Sequence, residues 1–237
     1  MDFAPVYAHD PIEQIADDVF MARGGLKLNP IIKISRNMAI VRRGDELTLV
    51  NPIRLSEAEL RRLDALGTVR HIIRLGAFHG LDDPFYMARY RPTFWCQAGG
   101  STYPEPPIDH VLTEDNELPI DNAKLFCFRN TNQPECALLL ATGGGLLLTC
   151  DAIQHYGDYS NNNMPARMIM PFIGFPKTTL IGPVWLKLMT PKGATLRSEF
   201  ERLFELEFDS LLSAHGTLLD TGAGEAVHAA IARAFPS

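Results

Sequence analysis

Residues 136–151 read CALLLATGGGLLLTCD. Two apolar runs, Cys136–Leu140 and Leu146–Cys150, flank Ala141-Thr142-Gly143-Gly144-Gly145. Short apolar runs separated by a glycine turn read as the strands of a hairpin. A triple glycine can also belong to a phosphate-cradling loop. That loop needs Lys-Ser/Thr after the glycines and a helix opening behind them, and neither is present. The second run stops on a carboxylate, Asp151. An apolar strand that ends in a polar residue, beside other such ends, is where sheet proteins build sites.

The same feature occurs twice more. Ile72-Ile73 runs through Arg74 into Leu75-Gly76-Ala77-Phe78-His79-Gly80-Leu81-Asp82-Asp83, and Leu211-Leu212-Ser213-Ala214 stops at His215-Gly216. Histidine and aspartate suit zinc, iron or manganese. Each residue also has a plainer reading. His79 reads equally as a metal ligand or as a loop residue paired with Asp82 or Asp83. Asp151 reads as a ligand or as the N-cap of a helix over 152–155. His215 reads as a ligand or as a donor to the loop backbone. Cys150, among leucines, reads as an inert buried thiol. His155 belongs to a surface loop or lines the pocket, and His71 is a satisfied strand histidine. His9, His110 and His228 show no supporting context.

Outward from these stretches the chain alternates strand and helix signals. Met38–Arg42 and Leu47–Val50 flank the turn Arg43-Gly44-Asp45-Glu46, a hairpin that Pro52 stops. Ser56 and Glu59 have capping-box spacing, with Leu55 and Leu60 placed as a staple, so a helix starts there and ends at Gly67. Val69–Arg74 returns as a strand, and this order predicts a mixed sheet with helices outside it. Further strands are expected at Thr93–Gln97, Ala123–Phe128 and Ser210–Ser213. Helices are expected at Leu196–Phe208 and Glu225–Phe235, with the C-terminal third largely helical.

The order of these elements resembles the metallo-β-lactamase superfamily over about residues 36–220, apart from an atypical stretch at 152–195. The early hairpin, the helix behind it, the hairpin closing on Asp151 where that family has Gly-Asp, and His215-Gly216 near the end carry the resemblance. More narrowly, the chain is similar to bacterial branches of the superfamily whose metal-binding motif is degenerate. The resemblance implies an α/β fold, a four-layer αββα sandwich of two mixed sheets, as one domain over residues 1–237. The family's loop reads His-x-His-x-Asp-His. With His79 in the last position, Arg74 and Gly76 replace the first two histidines and Phe78 replaces the aspartate. A site needing three histidines is then lost, while His79, Asp151 and His215 remain for one divalent metal. In another register His79 takes the aspartate position, with the same three candidates left. Asp82 or Asp83 is a further candidate ligand, and Asp83 or Asp82 a candidate general base. Arg74 is a candidate for holding a substrate anion, or a structural cation among acids.

Composition limits the partners. The 237 residues carry a net charge of −6, without the basic stripe of a nucleic-acid binder. No apolar window is long enough to span a membrane. The N-terminal MDFAPVYAHDPIEQIADD has early acids and no basic-then-apolar run, so no signal peptide is expected. The four cysteines lack a CxxC pair, as in a reduced, cytoplasmic protein. No Gly-x-Ser-x-Gly elbow is present, which leaves serine hydrolysis without support. Two functions remain. The leading one is a member with a degraded dinuclear site and no catalysis, or unknown chemistry, with no metal. In that case the aromatic and proline-rich stretches Tyr86–Pro92 and Tyr103–Pro107 are candidates for a protein-partner surface. The alternative is a mononuclear metal hydrolase of a small-molecule ester, thioester or phosphodiester.

Overall fold

The computed structural model describes residues 3–103 and 106–236. Pro104 and Glu105, inside the stretch 103–107, lie outside the described residues. The first sheet has seven strands adjacent in chain order. They are β1 (Glu13–Ala16), β2 (Val19–Lys27), β3 (Lys33–Arg43), β4 (Glu46–Val50), β5 (Thr68–Arg74), β6 (Thr93–Cys96) and β7 (His110–Val111). Pairing is antiparallel from β1 to β4 and parallel from β4 to β7. Parallel pairing needs crossovers; α1 (Glu57–Leu66) supplies the one from β4 to β5 and α2 (Asp83–Tyr90) the one from β5 to β6, while the chain over 97–109 joins β6 to β7.

The second sheet is built from β8 (Lys124–Cys127), β9 (Cys136–Leu140), β10 (Leu146–Thr149) and β13 (Ser210–Ser213), in the order β13-β10-β9-β8. A small ribbon, β11 (Ile153–His155) with β12 (Thr179–Ile181), lies beyond β10 and touches the β13 end through a bridge from His155 to Gly216. The other helices are α3 (Met164–Ile169), which runs into a 3-10 turn at Met170–Ile173, then α4 (Pro183–Met189), α5 (Arg197–Leu203) and α6 (Ala223–Ala234).

Strand side chains alternate between faces, and the clusters they enter define four layers. Ala39, Val41, Val50 and Ile73 from the first sheet meet Leu138, Leu140, Leu148 and Leu212 from the second. The opposite face of the first sheet, with Met38, Ile40, Leu49 and Ile72, buries Leu60, Leu63 and Tyr86 of α1 and α2. The opposite face of the second, with Ala137, Leu139, Leu147 and Leu211, buries Trp185, Phe200, Val227 and Ile231 of α4, α5 and α6. This is the expected αββα sandwich. It explains why 136–140 and 146–148 are apolar at every position, since both faces are covered. A one-residue slip would exchange Leu138 with Leu139, so the register is tightly specified.

Several boundaries differ from expectation. The run 196–208 keeps only Arg197–Leu203 as helix, and the C-terminal third holds β12 besides the expected strand at Ser210–Ser213. Residues 153–155 form a strand, so Asp151 caps no helix. Strands β1 and β2 have no clean sequence signal, because β2 carries Gly24-Gly25 in its middle. Nine paired positions with β3 hold it extended. Ser56 does cap α1, accepting from Glu59 N at 3.5 Å. The reciprocal half of the box is replaced: Ser56 N donates to His9 Nε2 at 2.8 Å, and the Glu59 carboxylate takes Ile12 N at 2.7 Å.

Candidate functional site

β10 and β13 are parallel neighbours, so their C-terminal ends lie side by side and bring Asp151 close to His215. The loop after β5 brings His79 over the same edge. His215 Nε2 lies 3.2 Å from Asp151 Oδ1, and His79 Nε2 lies 3.4 Å from Asp151 Oδ2. The imidazole centroids are 5.1 Å apart. One ligand atom from each of the three lies within 4.8 Å of the others.

The surrounding shell fixes these groups. His215 Nδ1 is 2.7 Å from the Ser35 carbonyl, an acceptor only, so Nδ1 donates there and the ring is held with Nε2 facing Asp151. The segment 35–37 of β3 clamps the β13 loop. Ser35 Oγ accepts from Gly216 N at 2.9 Å, and Asn37 Nδ2 donates to Ser213 O at 2.7 Å. Gly216 sits at φ +85, and a Cβ there would lie 2.0 Å from the His155 carbonyl, so only glycine lets the chain turn away after His215. Gln154 Nε2 donates to Asp151 O at 3.1 Å, and Tyr156 OH donates to Gln154 Oε1 at 2.9 Å. Burial would push the Asp151 carboxyl up, but the His79 and His215 imidazoles outweigh it and hold the group well below the usual carboxylate range.

A second carboxylate lies behind the cluster, and sequence reasoning missed it. Glu135, fully buried, accepts from Asp151 N at 3.0 Å, Ala152 N at 2.7 Å and Trp185 Nε1 at 2.7 Å. Burial, and then the charge of Asp151, push its carboxyl well above the ordinary value. A Cβ at Gly76 would come within 2.9 Å of Glu135 Oε2 and 2.7 Å of Cys150 Sγ, so the loop after β5 approaches β10 closely there. Glu135 belongs to no motif; only its position just before an apolar strand hinted at a strand-end role.

Two buried ion pairs adjoin the cluster. Arg36 donates to Asp82 at 2.6 Å, and Arg74 donates to Asp83 at 2.7 Å. His79 therefore faces Asp151, and its alternative pairing with Asp82 or Asp83 is not formed. Burial pushes the Asp83 carboxyl up despite Arg74. Gly80, at φ +137, makes room for this pair, since a Cβ there would lie 2.6 Å from Arg74 Cζ.

His79, Asp151 and His215 line a cavity of about 340 Å³. Arg36, Tyr103, Gln154 and Tyr156 also bring polar groups to its lining, and the rest is largely apolar, from the β2–β3 hairpin, the 164–175 stretch and α4. Arg74, Asp82 and Asp83 are absent from the lining. Other histidines have partners elsewhere: His155 Nδ1 meets Thr179 Oγ1 at 2.8 Å, His71 Nδ1 accepts from Trp95 Nε1 at 3.2 Å, and the His110 ring stacks on Trp95.

No family model and no curated protein matches the chain by sequence. Solved structures do match in three dimensions. The metallo-β-lactamase FIM-1 from Pseudomonas aeruginosa, in its mono-zinc form, aligns with TM-score 0.63 and 12% identity over 95% of this chain and 96% of its own. A metallo-β-lactamase from Hirschia baltica aligns with TM-score 0.59 and 15% identity, over 96% of this chain and 100% of its own. A flavoprotein from Thermotoga maritima aligns with TM-score 0.60 and 14% identity, over 97% of this chain and 62% of that one. With its two sheets, its outer helices and its strand-end cluster at one edge, this chain has the metallo-β-lactamase fold.

Proposed function

We propose that the chain holds one divalent metal ion through His79, Asp151 and His215 and hydrolyses an ester, thioester or phosphodiester with an apolar portion. The observation that carries this reading is the convergence of the three ligand atoms in the lining of the cavity. The donor set fits a cation: two imidazoles and a carboxylate, with the His215 Nδ1 bond to Ser35 turning Nε2 towards the site. Zinc, iron and manganese all suit it, and the mono-zinc form of FIM-1 is a precedent in the same fold.

When bound, such an ion supplies Lewis acidity, polarising an ester or phosphoryl oxygen and acidifying water. The chain's own residues supply the rest. Gln154 and Tyr156 orient Asp151. Arg36 lines the cavity with its charge balanced by buried Asp82, and its guanidinium N–H groups are candidate donors to a substrate oxygen. The apolar wall takes the non-reacting part of the substrate and excludes water. Arg74 and Asp83, buried against each other and away from the cavity, act in this reading as a structural pair rather than as anion holder and general base.

A non-catalytic reading is favoured by a different observation. Glu135 held by Trp185, and Arg74 paired with Asp83, occupy the ground beside the cluster with protein partners, although Arg74 Nη2 has none. Elemental analysis of protein purified without chelator or affinity-tag metal separates the two. Near-stoichiometric metal, lost in His215→Ala and Asp151→Ala, with turnover in an ester, thioester and phosphodiester screen, supports hydrolysis. No metal and no turnover in a folded protein leaves the binding reading.

A further inference from the structure

The cavity opens through a rim of exposed apolar side chains. Leu28, Ile169, Ile173, Val184 and Leu188 line it and are also exposed to solvent. Beside them in the same segments, Phe172 is 90% exposed, and Ile31 and Met168 are each 67% exposed. Exposed apolar surface of this extent, gathered at one mouth, marks an interaction site.

Charge identifies what the rim meets. The segments that build it, 19–44 and 159–198, contain no Asp or Glu, although the whole chain has 28 acids against 22 Lys and Arg. Those two segments hold eleven of the basic residues. Five of them, Arg23, Arg36, Arg42, Arg43 and Arg197, are ion-paired with acids outside the segments, and the cations left for the rim are Lys27, Lys33, Arg167, Lys177, Lys187 and Lys192. Lys27, Arg167 and Lys187 are exposed and directly precede rim residues Leu28, Met168 and Leu188, and Lys177 stands over the Tyr159 ring. Asp158, at the border of the second segment, is held by Ser160. An apolar crown set among lysines and arginines matches the boundary of an anionic lipid layer, with acyl chains for the crown and phosphates for the cations. A second copy fits poorly, because a two-fold pairing of this face would set its cations against each other.

We infer that the rim docks on an anionic lipid surface, so that the cavity mouth faces the lipid. The inference rests on the rim alone and holds whether or not a metal occupies the cluster. Among the described residues no helix is long and apolar enough to cross a membrane, so attachment of this kind is peripheral.

Flotation with phosphatidylglycerol vesicles, and in parallel with phosphatidylcholine vesicles, tests it on chelator-treated and on zinc-loaded protein. Binding is expected to phosphatidylglycerol at low salt, weaker to phosphatidylcholine, falling as salt rises, and equal with and without zinc. Phe172→Asp, at an exposed position that leaves the fold intact, should weaken binding by about tenfold or more. Arg167→Glu and Lys177→Glu should each weaken it by about fivefold or more, on phosphatidylglycerol only. No flotation at low salt overturns the inference, as does Phe172→Asp binding like the parent. Binding seen only with zinc would assign the contact to the cluster rather than the rim. Sedimentation showing a dimer that Phe172→Asp dissociates would assign the rim to a second copy.

Discussion

Arg74 and Asp83 are nearly sealed from solvent, with side-chain exposures of 3% and 1%, so each charge depends on the other. Arg74 also lies over the Phe94 ring, 5.2 Å from its centroid. Arg74→Met should therefore lower stability by about 3–5 kcal/mol, because it leaves a buried carboxylate alone. Arg74→Met combined with Asp83→Leu should recover most of that loss, since an apolar pair has no charge to desolvate. Urea unfolding of the two variants reads both values. Zinc uptake unchanged in the double variant is the outcome expected of a structural pair, and loss of uptake would return Arg74 or Asp83 to the site. Cys127 offers a test of a different kind. Burial, and then the charge of Glu114, push its thiol from 9.0 up to about 11. Alkylation of the folded protein should thus be slow at neutral pH and rise towards pH 11, ahead of which unfolded chain reacts freely. The sign for stability follows: with the folded pKa raised, this thiol's contribution is present below pH 9 and is lost as pH rises through about 11.

At the scale of elements, Glu135 ties three pieces together: the start of β9, the turn after β10 and helix α4. Trp185→Phe keeps a ring in the core but removes the N–H that satisfies Glu135 Oε2. It should cost about 1–3 kcal/mol, the usual penalty for an unmet buried acceptor. The Asp151 turn should loosen with it, read as faster amide exchange at Asp151 and Ala152. No stability change and no faster exchange would show that Glu135 is held without the indole. This tie was illegible in the sequence because its partners are 16 and 50 residues apart and share no motif. The same reason hid Ser35, which reaches His215 across 180 residues. What was legible had local causes: the apolar runs around Gly143-Gly144-Gly145, the Ser56 cap, and the three strand ends at His79, Asp151 and His215. Even there the local signal misled where a distant partner intervened. His9 displaced half of the α1 capping box, and the strand partner Thr179–Ile181 drew 153–155 out of the expected helix.

For the whole molecule, the cluster lies where both sheets contribute: His79 follows β5 of the first sheet, while Asp151 and His215 follow β10 and β13 of the second. A metal held by all three would bridge the two sheets and exist only in the folded chain, so its binding free energy adds to global stability. Zinc at about one hundred times its dissociation constant should raise the unfolding free energy by about 2.7 kcal/mol. The melting temperature should rise with zinc concentration and fall back with chelator. His215→Ala removes the second-sheet imidazole, and His79→Ala removes the first-sheet link. Each should abolish the zinc-dependent increment while leaving a cooperative transition, because the apolar clusters on both faces of each sheet are untouched. A zinc increment that survives both substitutions would mean that the ion binds elsewhere. If zinc gives the parent no increment at all, the cluster stands as a hydrogen-bonded latch between the sheets. His215→Ala should then lower the melting temperature by itself, through the lost bond to Ser35.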